Sequence, residues 1–205
     1  MAVPCIVFAA LSAWGVLAFA LAAWVESRYA GVSPPLPRSA LLAALGVAAF
    51  ATTVRPLGDA LAGGAACIAL IAAAPADERT GYLFDALTLP ACLAVLLLAV
   101  AFGSEARAAA GVMLLVGAFG GVVLLSRGRL MGLGDVKAMY AIGAAFGPLE
   151  SLVAVVTACA SGLFTLAILQ RMSRGNQLHF GSHLAAGAVV ALVAGDRIVR
   201  ALTGL

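Results

Sequence analysis

Charge is almost absent from eight stretches of this 205-residue chain: 3–25, 39–54, 57–74, 86–102, 107–125, 136–146, 149–170 and 183–198. Apolar runs of about 20 residues suit the hydrocarbon of a bilayer rather than a globular core. The whole chain agrees, with 64% hydrophobic against 10% charged residues and a mean hydropathy of +1.12. A segment that spans lipid must satisfy its backbone polar groups internally, which leaves helices or a closed barrel. Barrel strands alternate polar and apolar residues and these runs do not, so the expected fold is an all-α polytopic membrane helix bundle. The runs 39–54 and 136–146 are short for a crossing, so about eight segments are expected, or six if those two are re-entrant. No long polar stretch marks a second unit, and 1–205 reads as a single integral membrane domain. Ahead of 3–25 there is no basic n-region or small-residue cleavage site, so this run is expected to be a retained first helix.

The formal charge of +3 is spread singly or in twos, which excludes a nucleic-acid-binding face and a polybasic lipid-binding arm. Charge reports topology instead. Eight alternating crossings put Arg28, Arg38, Arg79, Arg127, Arg129, Lys137, Arg171 and Arg174 on one side, and only Arg55, Arg107, Arg197 and Arg200 on the other. The positive-inside rule assigns the first group to the cytoplasm and both termini to the outside. The connections 75–84 and 126–135 then share the cytoplasmic face. Cys5, Cys67, Cys92 and Cys159 fall in apolar runs with no Cys-x-x-Cys, so they are read as small buried hydrophobes rather than a disulfide framework or zinc site. Gly63-Gly64, Gly120-Gly121 and Gly143 are expected to permit close helix contacts. Gly147-Pro148 marks a stop and restart, and Asp85 is expected to be an N-cap.

Within this apolar background, Met131 to Lys137 reads Met-Gly-Leu-Gly-Asp-Val-Lys. A retained acid at the edge of hydrocarbon is a functional candidate, because an ionised carboxylate there is costly unless hydrated or paired. Gly132 and Gly134 suggest tight positive-φ geometry or close approach of another backbone. If Asp135 is catalytic it needs a second carboxylate, since two acids a few Å apart cannot both ionise and thereby divide the roles of general base and general acid. Of the acids on its face, Glu26, Asp77, Glu78 and Asp85, Asp77 stands at the matching depth and is the chosen partner.

The residues carrying this pattern resemble the type IV prepilin peptidases, membrane aspartyl proteases of the GxGD class that also contains presenilin-like enzymes. Asp77-Glu78-Arg79-Thr80-Gly81-Tyr82-Leu83-Phe84-Asp85-Ala86-Leu87-Thr88-Leu89-Pro90 is similar to the family's first motif, and Gly132-Leu133-Gly134-Asp135-Val136-Lys137 to its second. His179-Phe180-Gly181-Ser182-His183-Leu184-Ala185 is similar to a weaker third. One departure is Phe84, where a proline often stands. The resemblance implies cleavage of a short basic leader from type IV prepilin or pseudopilin precursors, after a glycine and before a hydrophobic helix. The setting it implies is the cytoplasmic edge of the bacterial inner membrane, with Asp77 and Asp135 as the catalytic pair and no cofactor or metal. Gly132, Gly134 and Lys137 would support the pair, and Glu78 and Asp85 are candidate contacts for the leader's basic residues. Bifunctional relatives carry a larger domain with paired Cys-x-x-Cys where this chain has only the connection from Glu26 to Arg38, so no N-methyltransferase activity is expected.

Other readings stay open at the level of sequence. Lys137 either snorkels to the headgroups or acts on Asp135 or the substrate. Asp59 is expected to be a structural contact for Arg55. In a small transporter or assembly subunit, Asp59, Asp77 and Asp135 would be ion sites lining a path across the bilayer. In a rhomboid-like serine protease, Ser161 and His183 would form the dyad, although Cys159 stands where Gly-x-Ser-Gly needs glycine. His-Glu-x-x-His is absent from the sequence. His179 and His183 would share a metal only if helix continued through Gly181.

Overall fold

A computed structural model describes residues 2–29, 38–171 and 179–204. Most of the connection between Glu26 and Arg38 (30–37), together with Arg174, lies outside the described residues. The described residues form α1 (Ala2–Tyr29), α2 (Arg38–Val54), α3 (Leu57–Thr80), α4 (Asp85–Ala101), α5 (Glu105–Ser126), α6 (Leu133–Arg171), α7 (Phe180–Val190) and α8 (Asp196–Thr203), with a π-helical turn at Ala191–Gly195. Among them there is no strand. α1, α3, α5 and α6 are long and apolar enough to cross a membrane, and α4 is a shorter apolar helix. Large apolar side chains such as Val16, Leu93, Met113 and Phe164 point outward, as they must where the solvent is lipid. The protein is an all-α membrane helix bundle.

α6 is two helices in one. Gly147 sits at φ 71 and ψ −173 ahead of Pro148, a backbone geometry open to glycine followed by a residue that cannot donate into the preceding turn. The chain reverses there. The first arm, 133–146, runs from Asp135 to Phe146 beside Gly63, while the second begins with Glu150 against Arg55 and Gly195 and reaches Ser161 beside His183. The expected stop and restart at Gly147-Pro148 is therefore a hairpin.

Cross-helix contacts set the remaining directions. Trp14 Nε1–H donates to Ala65 O at 3.0 Å and Arg79 bonds Glu26, so α1 runs parallel to α3. Gly58 abuts Phe102 at the far end of α4, Gly111 abuts Gly143, and Gly63 abuts Leu192. The helical arms thus alternate in direction as the eight runs require. One end of the bundle gathers Glu26, Asp77, Asp85 and Asp135, and the other gathers Arg55, Asp59, Arg107 and Glu150.

α3 is the central helix, touching α1, α2, α4, α6 and α7. It is buried almost continuously from Ala60 to Ala73, because its alanines and glycines let neighbours come close. A Cβ on Gly64 would lie 2.7 Å from Leu11 Cδ1, and one on Gly143 2.6 Å from Gly111 O. Gly121 has nothing within 4 Å, so of the expected small-residue contacts the Gly120-Gly121 pair makes no tight one. Cys67 is buried, whereas Cys5 is exposed on the apolar outer surface rather than in the core.

Two polar expectations are corrected at the helix ends. Asp59 pairs with Arg107 on α5, not with Arg55. Arg55 precedes the N-cap of α3 and turns away to Glu150, at 2.7 Å, and to the carbonyls of Ala191 and Leu192. Those carbonyls lie in the π-helical turn, where the altered hydrogen-bond register leaves acceptors for an outside donor. Asp85 is the first residue inside α4, and the N-cap is Phe84 with extended backbone and no side-chain cap. The Asp85 carboxylate goes instead to Lys137.

Candidate active site

The last turn of α3 places Asp77 inside the bundle, 5% exposed. The helix ends four residues later, where Gly81 adopts φ 71 and its N–H bonds Asp77 O at 2.7 Å, a left-handed cap. The Asp77 side chain faces α7. Its Oδ2 accepts the Gly181 N–H at 2.8 Å.

Asp135 is placed by the start of α6. Gly132 precedes the first helical residue, Leu133, so Asp135 is the third residue of the helix. Its Oδ2 accepts the Gly132 N–H at 3.3 Å, which is the returning half of a capping box. A carboxylate in the first helical turn is also favoured by the helix dipole. The spacing of the Gly-x-Gly-Asp motif is thus what lets Asp135 close its own helix end.

Asp77 and Asp135 line one polar cleft of about 530 Å³ together with Arg79, Arg129, His179 and Gly132. The two acids come from α3 and α6. Arg79, two residues beyond Asp77, is held by buried Glu26 at 2.8 Å. The connection from Gly128 to Gly132 also lines the cleft, after Arg127 and Gly128 end α5 at φ 52 and φ 72.

The other expected site residues separate. Gly132 lines the cleft, but Gly134 faces Leu83, whose Cβ and O would each lie 2.8 Å from an added Cβ. Neither glycine has positive φ, which occurs earlier, at Arg127 and Gly128. The expected tight turn therefore lies just upstream of the motif, and Gly134 serves packing of the α3–α4 connection. Lys137 pairs with Asp85 across α4 and α6, since two residues along a helix turn it away from Asp135. Glu78 is exposed and the Asp85 side chain is 63% exposed, and neither is among the residues lining the cleft.

Ser161 Oγ and His183 Nδ1 do meet, at 3.0 Å, but outside the residues lining the cleft, and Ser161 Oγ also lies 3.0 Å from Ala158 O. His179 is the N-cap of α7 with extended backbone, while His183 is turned to Ser161. Asp59 stands at the opposite end of the bundle from the two cleft acids and is paired. The two cleft acids thus share one end of the bundle, and Asp59 is not among the residues lining their cleft. His179, Arg79 and Gly181 belong to the site although sequence reasoning gave them no role there. All three lie within the motif-like segments 77–90 and 179–185, which was the signal available.

The family model described as the type IV leader peptidase family matches residues 64–169, a stretch that contains both acids. The chain is 36% identical over 163 residues to the prepilin leader peptidase/N-methyltransferase of Burkholderia pseudomallei strain 1026b, covering 73% of this chain and 51% of that protein. The protein of the same name from strain K96243 matches equally. No solved structure matches the chain. The chain spans about half the length of the curated relatives it matches. With the family match extending over more than half of the chain and enclosing the cleft acids, this protein belongs to the type IV leader peptidase family.

Proposed function

We propose that this chain is a membrane aspartyl endopeptidase that removes the basic leader from type IV prepilin-like or pseudopilin precursors. The observation that carries this reading is the presence of Asp77 and Asp135, from different helices, on one polar cleft at one end of the bundle. In the proposed reaction a water lies between the two carboxyl groups. The ionised one takes a proton from the water as its oxygen attacks the scissile carbonyl carbon, and the protonated one gives its proton to the carbonyl oxygen. The resulting diol collapses as the C–N bond breaks, a proton passes to the leaving amine, and the two acids exchange roles.

The charge distribution supports an inner-membrane protein with the cleft toward the cytoplasm. A membrane-anchored substrate helix would enter from the side with its leader in the cytoplasm. Glu78 and Asp85 stand near this end as acidic groups for the leader, although Asp85 is already paired with Lys137.

Expressing Asp77→Asn and Asp135→Asn separately with a tagged prepilin tests the pair. Each variant is expected to leave the precursor uncleaved, and processing by either at the wild-type rate would refute the assignment. We further propose that the product amine leaves unmethylated, a reading supported by the short, cysteine-free connection between Glu26 and Arg38. Mass analysis of the cleaved pilin's N-terminus checks this, since one added methyl attributable to this protein would overturn it.

A further inference from the structure

The first turn of α7 reaches Asp77 through Gly181. This is the second residue of α7, so its N–H has no acceptor within its own helix. The Asp77 carboxylate supplies that acceptor from 104 residues away, in a buried bond of 2.8 Å. The approach depends on the missing side chain, because a Cβ on Gly181 would lie 2.7 Å from Asp77 Oδ2 and 3.1 Å from both its Cβ and Cγ.

Backbone conformation does not account for this glycine, since Gly181 is not among the positive-φ residues. Helix propensity does not account for it either, because glycine is about 1 kcal/mol worse than alanine inside a helix. The same turn is fastened on its other side. His183 Nδ1 meets Ser161 Oγ of α6 at 3.0 Å, and Ser182 Oγ donates to His179 O at 3.3 Å. His179, immediately before the turn, lines the cleft.

We propose that Gly181 is a positioning residue for proteolysis. Its N–H holds Asp77 Oδ2 so that the carboxylate is oriented toward the cleft shared with Asp135, and its lack of a side chain makes the approach sterically feasible. The Ser161–His183 bond fixes the turn that presents this N–H. This inference rests on the assignment of Asp77 as one of the catalytic pair.

The test measures kcat and KM for prepilin processing by purified enzyme in detergent, alongside thermal unfolding, for Gly181→Ala, Gly187→Ala and Asp77→Asn. Gly181→Ala is expected to lower kcat by about a hundredfold with KM within about threefold of wild type, as displacement of a reacting group by a fraction of its own size does. Gly187 is the packing control on the same helix: an added Cβ there would lie 2.1 Å from Ala154 O, far from Asp77's contact. Gly187→Ala is expected to lower the unfolding temperature while kcat per folded enzyme stays near wild type. Wild-type kcat in Gly181→Ala, with Asp77→Asn inactive, would overturn the proposal and spare the dyad. Wild-type processing by Asp77→Asn would instead sink the dyad itself. An equal fall in kcat in Gly187→Ala would show that general packing of α7, not the Gly181 contact, sets the rate. If Gly181→Ala cannot be recovered folded, His183→Ala decides: kcat is expected to fall several-fold at unchanged KM, and an unchanged kcat would refute the positioning role.

Discussion

Lys137 on α6 bonds Asp85 at the start of α4, so the chain's single lysine, two residues from Asp135, is engaged elsewhere. The pair spans the junction between the first-motif segment and the Gly-x-Gly-Asp helix. Its side chains are 30% and 63% exposed, and an ion pair so open to solvent contributes roughly 0–1 kcal/mol. Lys137→Met is therefore expected to process prepilin within about threefold of wild type and to unfold at nearly the wild-type temperature. A loss of activity as deep as that expected of Asp135→Asn, in Lys137→Met alone, would return the lysine to the cleft chemistry.

The two glycines of the motif are not equivalent. Gly134 has Leu83 Cβ and O within 2.8 Å of where a Cβ would stand, whereas the nearest atom to a Cβ on Gly132 is Asp135 Oδ2 at 3.7 Å. Gly134→Ala is expected to destabilise by about 1–3 kcal/mol through overpacking, and to slow processing as the α3–α4 connection shifts. Gly132→Ala retains the N–H that Asp135 accepts and is expected to cost no more than about 1 kcal/mol as a poorer N-cap. Thermal unfolding of both variants in detergent ranks them, and equal midpoints would contradict the asymmetry.

Close backbone contact holds α5 to the first arm of α6. A Cβ on Gly111 would stand 2.1 Å from Gly143 O, while Gly121, further along α5, has nothing within 4 Å. Gly111→Ala is expected to destabilise by about 3 kcal/mol or more, since backbone cannot move aside as a side chain can. Gly121→Ala is expected to be neutral or to stabilise by up to about 1 kcal/mol. Yield of folded protein after detergent extraction and its unfolding temperature measure both.

At the end of the bundle away from the cleft, Arg55 joins the α2–α3 connection to Glu150 and to the Ala191 and Leu192 carbonyls. Its side chain is 9% exposed and that of Glu150 14%. Removing one partner of such a pair leaves a buried charge alone and costs about 3–5 kcal/mol. Arg55→Ala and Glu150→Ala are expected to lower stability by that order while the folded fraction cleaves substrate at the normal rate. A fall in kcat per folded enzyme without loss of stability would tie this end of the bundle to the chemistry.

The helices were legible because lipid permits little else. An apolar run that crosses hydrocarbon has to satisfy its own backbone, so runs such as 3–25 and 107–125 correspond to α1 and α5 with small shifts at the ends. Alternation of direction then put the ends of α3 and α6 together, which is how Asp77 could be chosen for Asp135. Gly147-Pro148 was readable as a break for the same local reason, a glycine free to take φ 71 before a residue with no N–H. Local reading failed where the partner is far along the chain. Asp59 selects Arg107 over Arg55, and Asp85 selects Lys137 over a capping role, because each choice depends on how two helices are rotated about their axes.

Sequence alone determined the membrane helices, their alternating order and the end of the bundle at which the two acids stand, since each follows from hydrophobic length and chain direction. The tertiary structure decided which groups surround those acids. The Gly181 N–H on Asp77 Oδ2, the Arg79 held by Glu26, and His179 at the cleft wall arise from contacts between α1, α3 and α7. Neither hydropathy nor spacing encodes the rotation and depth of one packed helix against another, and that rotation is what gives Asp77 its neighbours.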